Sequence, residues 1–209
     1  MKRNLIILLS LVLLGGLTLG AAVVQARHGS DDNPSCMAGA QTTSHDEGGS
    51  GDDHTQGSEA ADEISGNDGN DHLDGRDGND DICGDNGNDH IRGGRGDDNL
   101  AGGNGNDAID GQQGDDVEQG DGGDDHMVGG SGDDVLRGGA GDDVISGNNG
   151  NDSINAGSGH DRVSGGNGND TINVRDHRRD RVDCGRGRDR VRADKSDHVA
   201  RNCEHVSRR

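Results

Sequence analysis

Apolar residues in this chain follow two regimes. Near the N-terminus they are contiguous, running from Leu5 to Leu14 and continuing through small and apolar residues to Val24. From Gly66 onward an apolar residue recurs every nine positions: Leu73, Ile82, Ile91, Leu100 and Ile109, then Met127, Leu136, Ile145, Ile154, Val163 and Ile172. A period of nine is neither the 3.6 of a helix nor the two of a long strand. It marks an internal repeat rather than either regular element alone. Residues 66–173 divide into twelve such nonapeptides without an insertion. Numbered from its leading residue, as in Gly102-Gly103-Asn104-Gly105-Asn106-Asp107-Ala108-Ile109-Asp110, each unit has Gly fourth and Asp sixth. The first position is Gly except at Ala156, and the eighth is apolar except at Glu118. The fifth is Asn or Asp except at His160, a composition expected of left-handed backbone beside glycines.

The pattern Gly-Gly-x-Gly-x-Asp-x-apolar-x resembles the repeats-in-toxin (RTX) calcium-binding nonapeptide, over slightly more than half of the chain. The resemblance implies an all-β fold: a parallel β-roll, a right-handed β-helix-like solenoid with two facing sheets of short parallel strands. Positions one to six would turn and seven to nine would form the strand, so that two repeats complete one coil. It also implies Ca²⁺ as the cofactor. The side-chain ligands by resemblance are Asp71, Asp80, Asp89, Asp98, Asp107, Asp116, Asp125, Asp134, Asp143, Asp152, Asp161 and Asp170. Main-chain ligands are expected at Gly69, Gly78, Gly87, Gly96, Gly105, Gly114, Gly123, Gly132, Gly141, Gly150, Gly159 and Gly168.

Elementary chemistry leads the same way. Glycine permits positive φ and lets several carbonyl oxygens face one point, to which the sixth-position Asp adds a carboxylate. An all-oxygen nest selects a hard cation, and the six to eight ligands available between stacked loops suit Ca²⁺ better than the smaller, strictly octahedral Mg²⁺. An ion shared by loops i and i+2 gives the twelve repeats at most about ten paired sites. Glu118 stands in an inward slot, where it would distort its coil, exchange places with Val117 or find a cation; the sequence does not choose.

Composition removes other functions. The chain of 209 residues has no Phe, Tyr or Trp, 41 Gly and a net charge of −21. Without aromatic bulk it lacks the core of an ordinary enzyme domain. Its charge disfavours nucleic acid and anionic lipid as partners and favours cations. The aspartates occupy equivalent positions, whereas acid–base catalysis needs paired groups in unlike surroundings; no enzyme is expected.

The termini differ from the repeats. Lys2 and Arg3, the apolar run and Val24-Gln25-Ala26 form a signal-peptide pattern over 1–26, with cleavage after Ala26 and secretion to the extracellular space expected. An uncleaved anchor is the competing reading; after cleavage no membrane association is expected. Residues 27–59 are Gly-, Ser-, Asp- and His-rich and read as a flexible polar linker. The β-roll is expected over 60–173, opening on a degenerate coil at Asp62-Glu63-Ile64-Ser65. From Val174 the phase slips by one residue, and 174–209 carry twelve Lys and Arg against seven Asp and Glu, a basic cap for an acidic solenoid. Four cysteines in an exported chain predict up to two disulfides. Cys184 with Cys203 is the expected pair, leaving Cys36 with Cys83 as the other option. His72, His90 and His126 all sit seventh in odd-numbered repeats, on one sheet, His72 and His90 as direct neighbours. The expectation is a secreted calcium-binding β-roll that folds on taking up several ions. The alternatives are an extracellular adhesion or polysaccharide-binding module, or an accessory domain of a secreted enzyme; no protein or polysaccharide partner is legible.

Overall fold

The computed structural model describes residues 44–209, with side chains from Gly48 onward. The expected leader over 1–26 and Cys36 lie outside the described residues. Over the described range the chain is all-β, a solenoid of parallel strands in two sheets. Ten strands form one sheet, beginning with Ser44–Glu47, Asp62–Ser65 and Asp81–Asn86 and ending with Arg190–Ala193 and His205–Arg208. The nine-stranded sheet begins with His54–Gln56, His72–Asp77 and His90–Arg95 and ends with Arg181–Arg186 and His198–Val199. Successive strands alternate between the sheets, so hydrogen-bonded neighbours are two repeats apart, as in Leu73 opposite Ile91 and Leu136 opposite Ile154.

Most strands are six residues long and include positions one to three of the next repeat, as in His72–Asp77. They are twice as long as the three-residue strands expected, because the ladder continues round the corner: Arg76 and Asp77 pair with Gly94 and Arg95. The corner is made by positive φ at position two, as at Arg76 (80°), Gln112 (76°) and Gly139 (113°), and again at the fourth-position glycine. No fifth-position residue adopts positive φ among those described, which corrects the expectation for Asn and Asp there. Their side chains serve a different purpose, described below.

Inward-facing positions are the sixth, the eighth and the first. The eighth-position aliphatics stack as a buried column, with Leu73, Ile82 and Met127 at 0% exposure. Glu118 keeps that register, opposite Leu100 and Leu136, and is itself 0% exposed, so the coil is neither shifted nor inverted toward Val117. The ladder also starts earlier than the composition indicated. Ser44–Glu47 and His54–Gln56, within the segment read as linker, already pair with Asp62–Ser65 and His72–Asp74.

At the C-terminal end the spacing of paired residues lengthens to nineteen, as in Val163 opposite Val182. The extra residue is absorbed in the turn before Asp180, where His177 has φ 76°. Cys184 and Cys203 are joined by a disulfide. From Val174 the first position is no longer glycine: Val174, Cys184 and Ala193 are each buried and, with Ala156 earlier in the chain, extend the aliphatic core. The cap therefore fills with side-chain atoms the interior space that the glycine coils leave open.

Candidate metal centre

Most glycine coils bring the same three groups together inside: a sixth-position carboxylate, a first-position glycine and the first-position carbonyl of the next coil. The sixth-position aspartates are all buried, from Asp71 to Asp170. One oxygen of each is accounted for. The Oδ1 atoms of Asp89, Asp98, Asp107 and onward to Asp170 accept the backbone N–H of the sixth-position residue eighteen positions earlier, at 2.8–3.0 Å. The other oxygen, Oδ2, is buried and has no hydrogen-bond partner in any of the twelve. A buried carboxylate oxygen without a partner is costly, because the protein supplies nothing in place of water.

The surroundings of that oxygen explain the first glycine. A Cβ on Gly84 would collide with Asp89 Oδ2 and would lie 2.6 Å from the carbonyl oxygen of Gly102. Gly75 has the same relation to Asp80 Oδ2 and, at 2.6 Å, to Gly93 O. The glycine here supplies room rather than unusual dihedrals, and the room is faced by oxygens. The fourth-position glycines are required twice over, by positive φ and by close contact, since a Cβ on Gly87 would overlap the carbonyl of Gly69.

A second carboxylate and amide ladder runs along the outside. Fifth-position side chains accept the backbone N–H of the fifth-position residue one coil further on, as Asn88 from Asn106 at 2.7 Å and Asp115 from Asp133 at 2.7 Å. This is why Asn and Asp dominate there. Asp133 on the outer ladder and the interior aspartates titrate in opposite directions although both accept backbone N–H groups. Exposed Asp133 is held below the usual carboxylate range by the backbone and side chain of Asn151. In the interior, burial outweighs the hydrogen bond, and repulsion by neighbouring aspartates adds to it. Asp89 is pushed up to about 7, Asp98 to about 8, Asp125 and Asp134 to about 7. Glu118 is raised well above its ordinary range, first by burial and then by the charges of Asp134 and Asp116.

A pH dependence follows. With a folded pKa of about 6 to 8 against an ordinary 3.8, the calcium-free folded form holds more protons than the unfolded chain across that interval. The stability these groups contribute is complete below pH 3.8 and lost as pH rises through the folded values. Calcium-stripped protein is therefore expected to show more strand circular-dichroism signal at about pH 5 than at about pH 8. In millimolar Ca²⁺ the order reverses, because ligand carboxylates must be deprotonated. Equal signals at both pH values without calcium would contradict this.

Among the described residues no group of three or more His, Cys, Asp and Glu side chains is placed to hold a metal. A cation here must take most of its ligands from main-chain carbonyls, which favours a hard ion. The twelve aspartates expected from the sequence all stand in the ladder. Sequence reading missed Asp62, Asp180 and Asp189, which are buried in the same register, with Asp180 and Asp189 Oδ1 accepting from the N–H groups of Asp161 and Asp170. The one-residue insertion hides the two C-terminal members. It also missed the first-position carbonyls, such as Gly102 O. The histidine ladder is longer than expected: His54, His72 and His90 stack with ring centroids 4.6 and 4.8 Å apart, whereas Ala108 separates His90 from His126.

The profile of the RTX calcium-binding nonapeptide repeat matches the chain in four copies, over residues 47–82, 84–118, 119–154 and 138–172. The chain belongs to the RTX calcium-binding nonapeptide repeat family. No curated relative matches it. RTX nonapeptide repeats bind Ca²⁺, and the oxygen-only interior fits that ion: an orphaned carboxylate oxygen, a carbonyl and a missing side chain recur in the RTX coils. The first RTX match begins at residue 47, within the segment whose composition suggested a linker. Cys36, which the sequence leaves as the remaining option for pairing with Cys83, lies outside the described residues.

Proposed function

We propose that this is a secreted RTX β-roll in which the sixth-position aspartates, Asp71 through Asp170, bind Ca²⁺ between coils and thereby fold the chain outside the cell. There it serves a structural or binding role rather than a catalytic one. The observation that carries the reading is the row of buried Oδ2 atoms without hydrogen-bond partners, each beside a first position that is glycine in nearly every coil and too small to fill the space. Burying twelve such oxygens in ionised form is favourable only with a counter-charge, and each N–H already engaged by Oδ1 fixes the carboxylate so that Oδ2 faces inward. First- and fourth-position carbonyls complete the ligand set. Calcium supplies the charge neutralisation that the protein lacks, and the coils supply the spacing.

Export is supported by two observations of different kinds. Residues 1–26 have the basic head, apolar middle and small-residue end of a leader. The Cys184–Cys203 disulfide belongs in an oxidising compartment. Calcium-poor cytosol would leave the chain expanded for export, and millimolar calcium outside would drive it to fold.

The ligand assignment is tested by Asp152→Asn, which keeps the Oδ1 hydrogen bond to Asp134 N–H and removes the charge. Native mass spectrometry at fixed free Ca²⁺ is expected to show a loss of about one or two ions, since an aspartate between two coils serves the site on either side. Asn151→Ala, on the outer ladder, is expected to lose none. Wild-type stoichiometry in Asp152→Asn would overturn the assignment.

A further inference from the structure

The eighth-position column contains one residue that no aliphatic packing explains. Glu118 lies between Leu100 and Leu136 on adjacent strands and is 0% exposed. Its carboxylate turns out of the column toward Gly111. Oε1 accepts the Gly111 N–H at 3.1 Å. A Cβ on Gly111 would lie 2.8 Å from Glu118 Oε1, 2.8 Å from Gly129 O, and in collision with Asp116 Oδ2. The space beside Gly111 is thus bounded by two carboxylates and a carbonyl, whereas the spaces beside Gly75 and Gly84 have one carboxylate and a carbonyl. Glu118 Oε2 and Asp116 Oδ2 are buried there with no hydrogen-bond partner, as is Asp134 Oδ2 on the next coil of the same ladder.

We propose that Glu118 is a calcium ligand: with Asp116 and the carbonyl of Gly129 it forms, beside Gly111, an interior Ca²⁺ site that the nonapeptide pattern does not itself encode. This rests on the reading that sixth-position aspartates bind Ca²⁺. The geometry favours a cation over simple burial. Glu118 has one hydrogen bond for two oxygens, and the charges that act on it are the like charges of Asp134, Asp116 and Asp110. A second carboxylate on one ion raises the negative charge of the ligand set, which strengthens Ca²⁺ binding. Water exclusion strengthens it further, since this glutamate is fully buried. The site should therefore hold the most tightly bound ion in the chain.

The test uses the full chain and compares wild type with Glu118→Leu, which restores the aliphatic column, and Glu118→Gln, which keeps the shape without the charge. Ion counts are followed by native mass spectrometry during stepwise chelation, and thermal midpoints are measured with and without Ca²⁺. Wild type is expected to keep one ion after the others are gone. Both variants should lose that ion, with its affinity reduced at least about tenfold. Glu118→Leu should also unfold at a lower temperature than wild type in Ca²⁺ and at a higher one without it. An unchanged count, with Glu118→Leu more stable under both conditions, would overturn the proposal and identify Glu118 as a protonated interior carboxyl. Asp152→Asn separates the two failures. If it loses ions while the Glu118 variants do not, only the Glu118 assignment falls; if none of the three loses ions, the aspartate sites fall with it.

Discussion

Removing Ca²⁺ from the folded protein at neutral pH is expected to abolish most of the strand circular-dichroism signal and to expand the chain in small-angle X-ray scattering. Fourteen buried Oδ2 atoms lie without hydrogen-bond partners along the interior aspartate ladders, and the N–H to Oδ1 bonds that space them also bring successive carboxylates close together. Ionised and without a cation, they repel one another in an interior that screens poorly. Opposing this is one aliphatic residue per nine, a thin core for so long a backbone. Bound calcium reverses the balance. At free Ca²⁺ tenfold above the dissociation constant each site adds about 1.4 kcal/mol, so about ten coil-to-coil pairs add about 14 kcal/mol, as much as the whole net stability of an ordinary domain. Scattering profiles and strand signals that are identical with and without chelator would refute calcium-dependent folding.

Gly87→Ala is expected to destabilise the solenoid by about 3 kcal/mol or more in calcium-saturated urea unfolding. Gly87 has φ 147°, in the region that side-chain-bearing residues avoid. Its Cβ would overlap the Gly69 carbonyl oxygen and stand 2.5 Å from the carbonyl carbon, and both atoms belong to a backbone fixed by the ladder. Gly147→Ala, at a first position, provides the control. That glycine has no positive φ, and its new Cβ would press on the Asp152 carboxylate, a side-chain end with some freedom to move, more closely than on the Gly165 carbonyl. The chain already accepts alanine at such a position, in Ala156. The control should cost about half as much or less in stability, while weakening calcium binding at that coil. Equal costs for the two variants would show that the fourth-position stacking contact is not what makes Gly87 irreplaceable.

Several features were legible because they repeat. The nine-residue period with its constant Gly and Asp carried the resemblance to the RTX nonapeptide, which implied parallel strands on two faces, and the strand pairing follows that phase through the repeats. Cys184 and Cys203 were likewise legible from their positions around the irregular tail. What escaped notice lay where the period fails or where composition misleads. Asp180 and Asp189 continue the aspartate ladder, but an inserted residue shifts them out of phase. Ser44–Glu47 and His54–Gln56 join the sheets although they carry no aliphatic residue, because ladder hydrogen bonds require only backbone. For the fifth position, composition pointed to left-handed backbone, whereas its Asn and Asp side chains cap the N–H groups of the next coil.

The sequence by itself determined the repeat and the kind of ion, since glycine and aspartate in fixed phase offer hard oxygen ligands, and the architecture was legible through the resemblance that this repeat carries. Tertiary structure alone decided which atoms remain for that ion. The relevant contacts join residues eighteen positions apart, on neighbouring coils, and no local pattern records which carboxylate oxygen is engaged by an N–H and which faces the space beside a glycine. The same holds for Glu118, an exception to the repeat in sequence and, once the coils are stacked, a carboxylate directed at the space it shares with Asp116 and the Gly129 carbonyl.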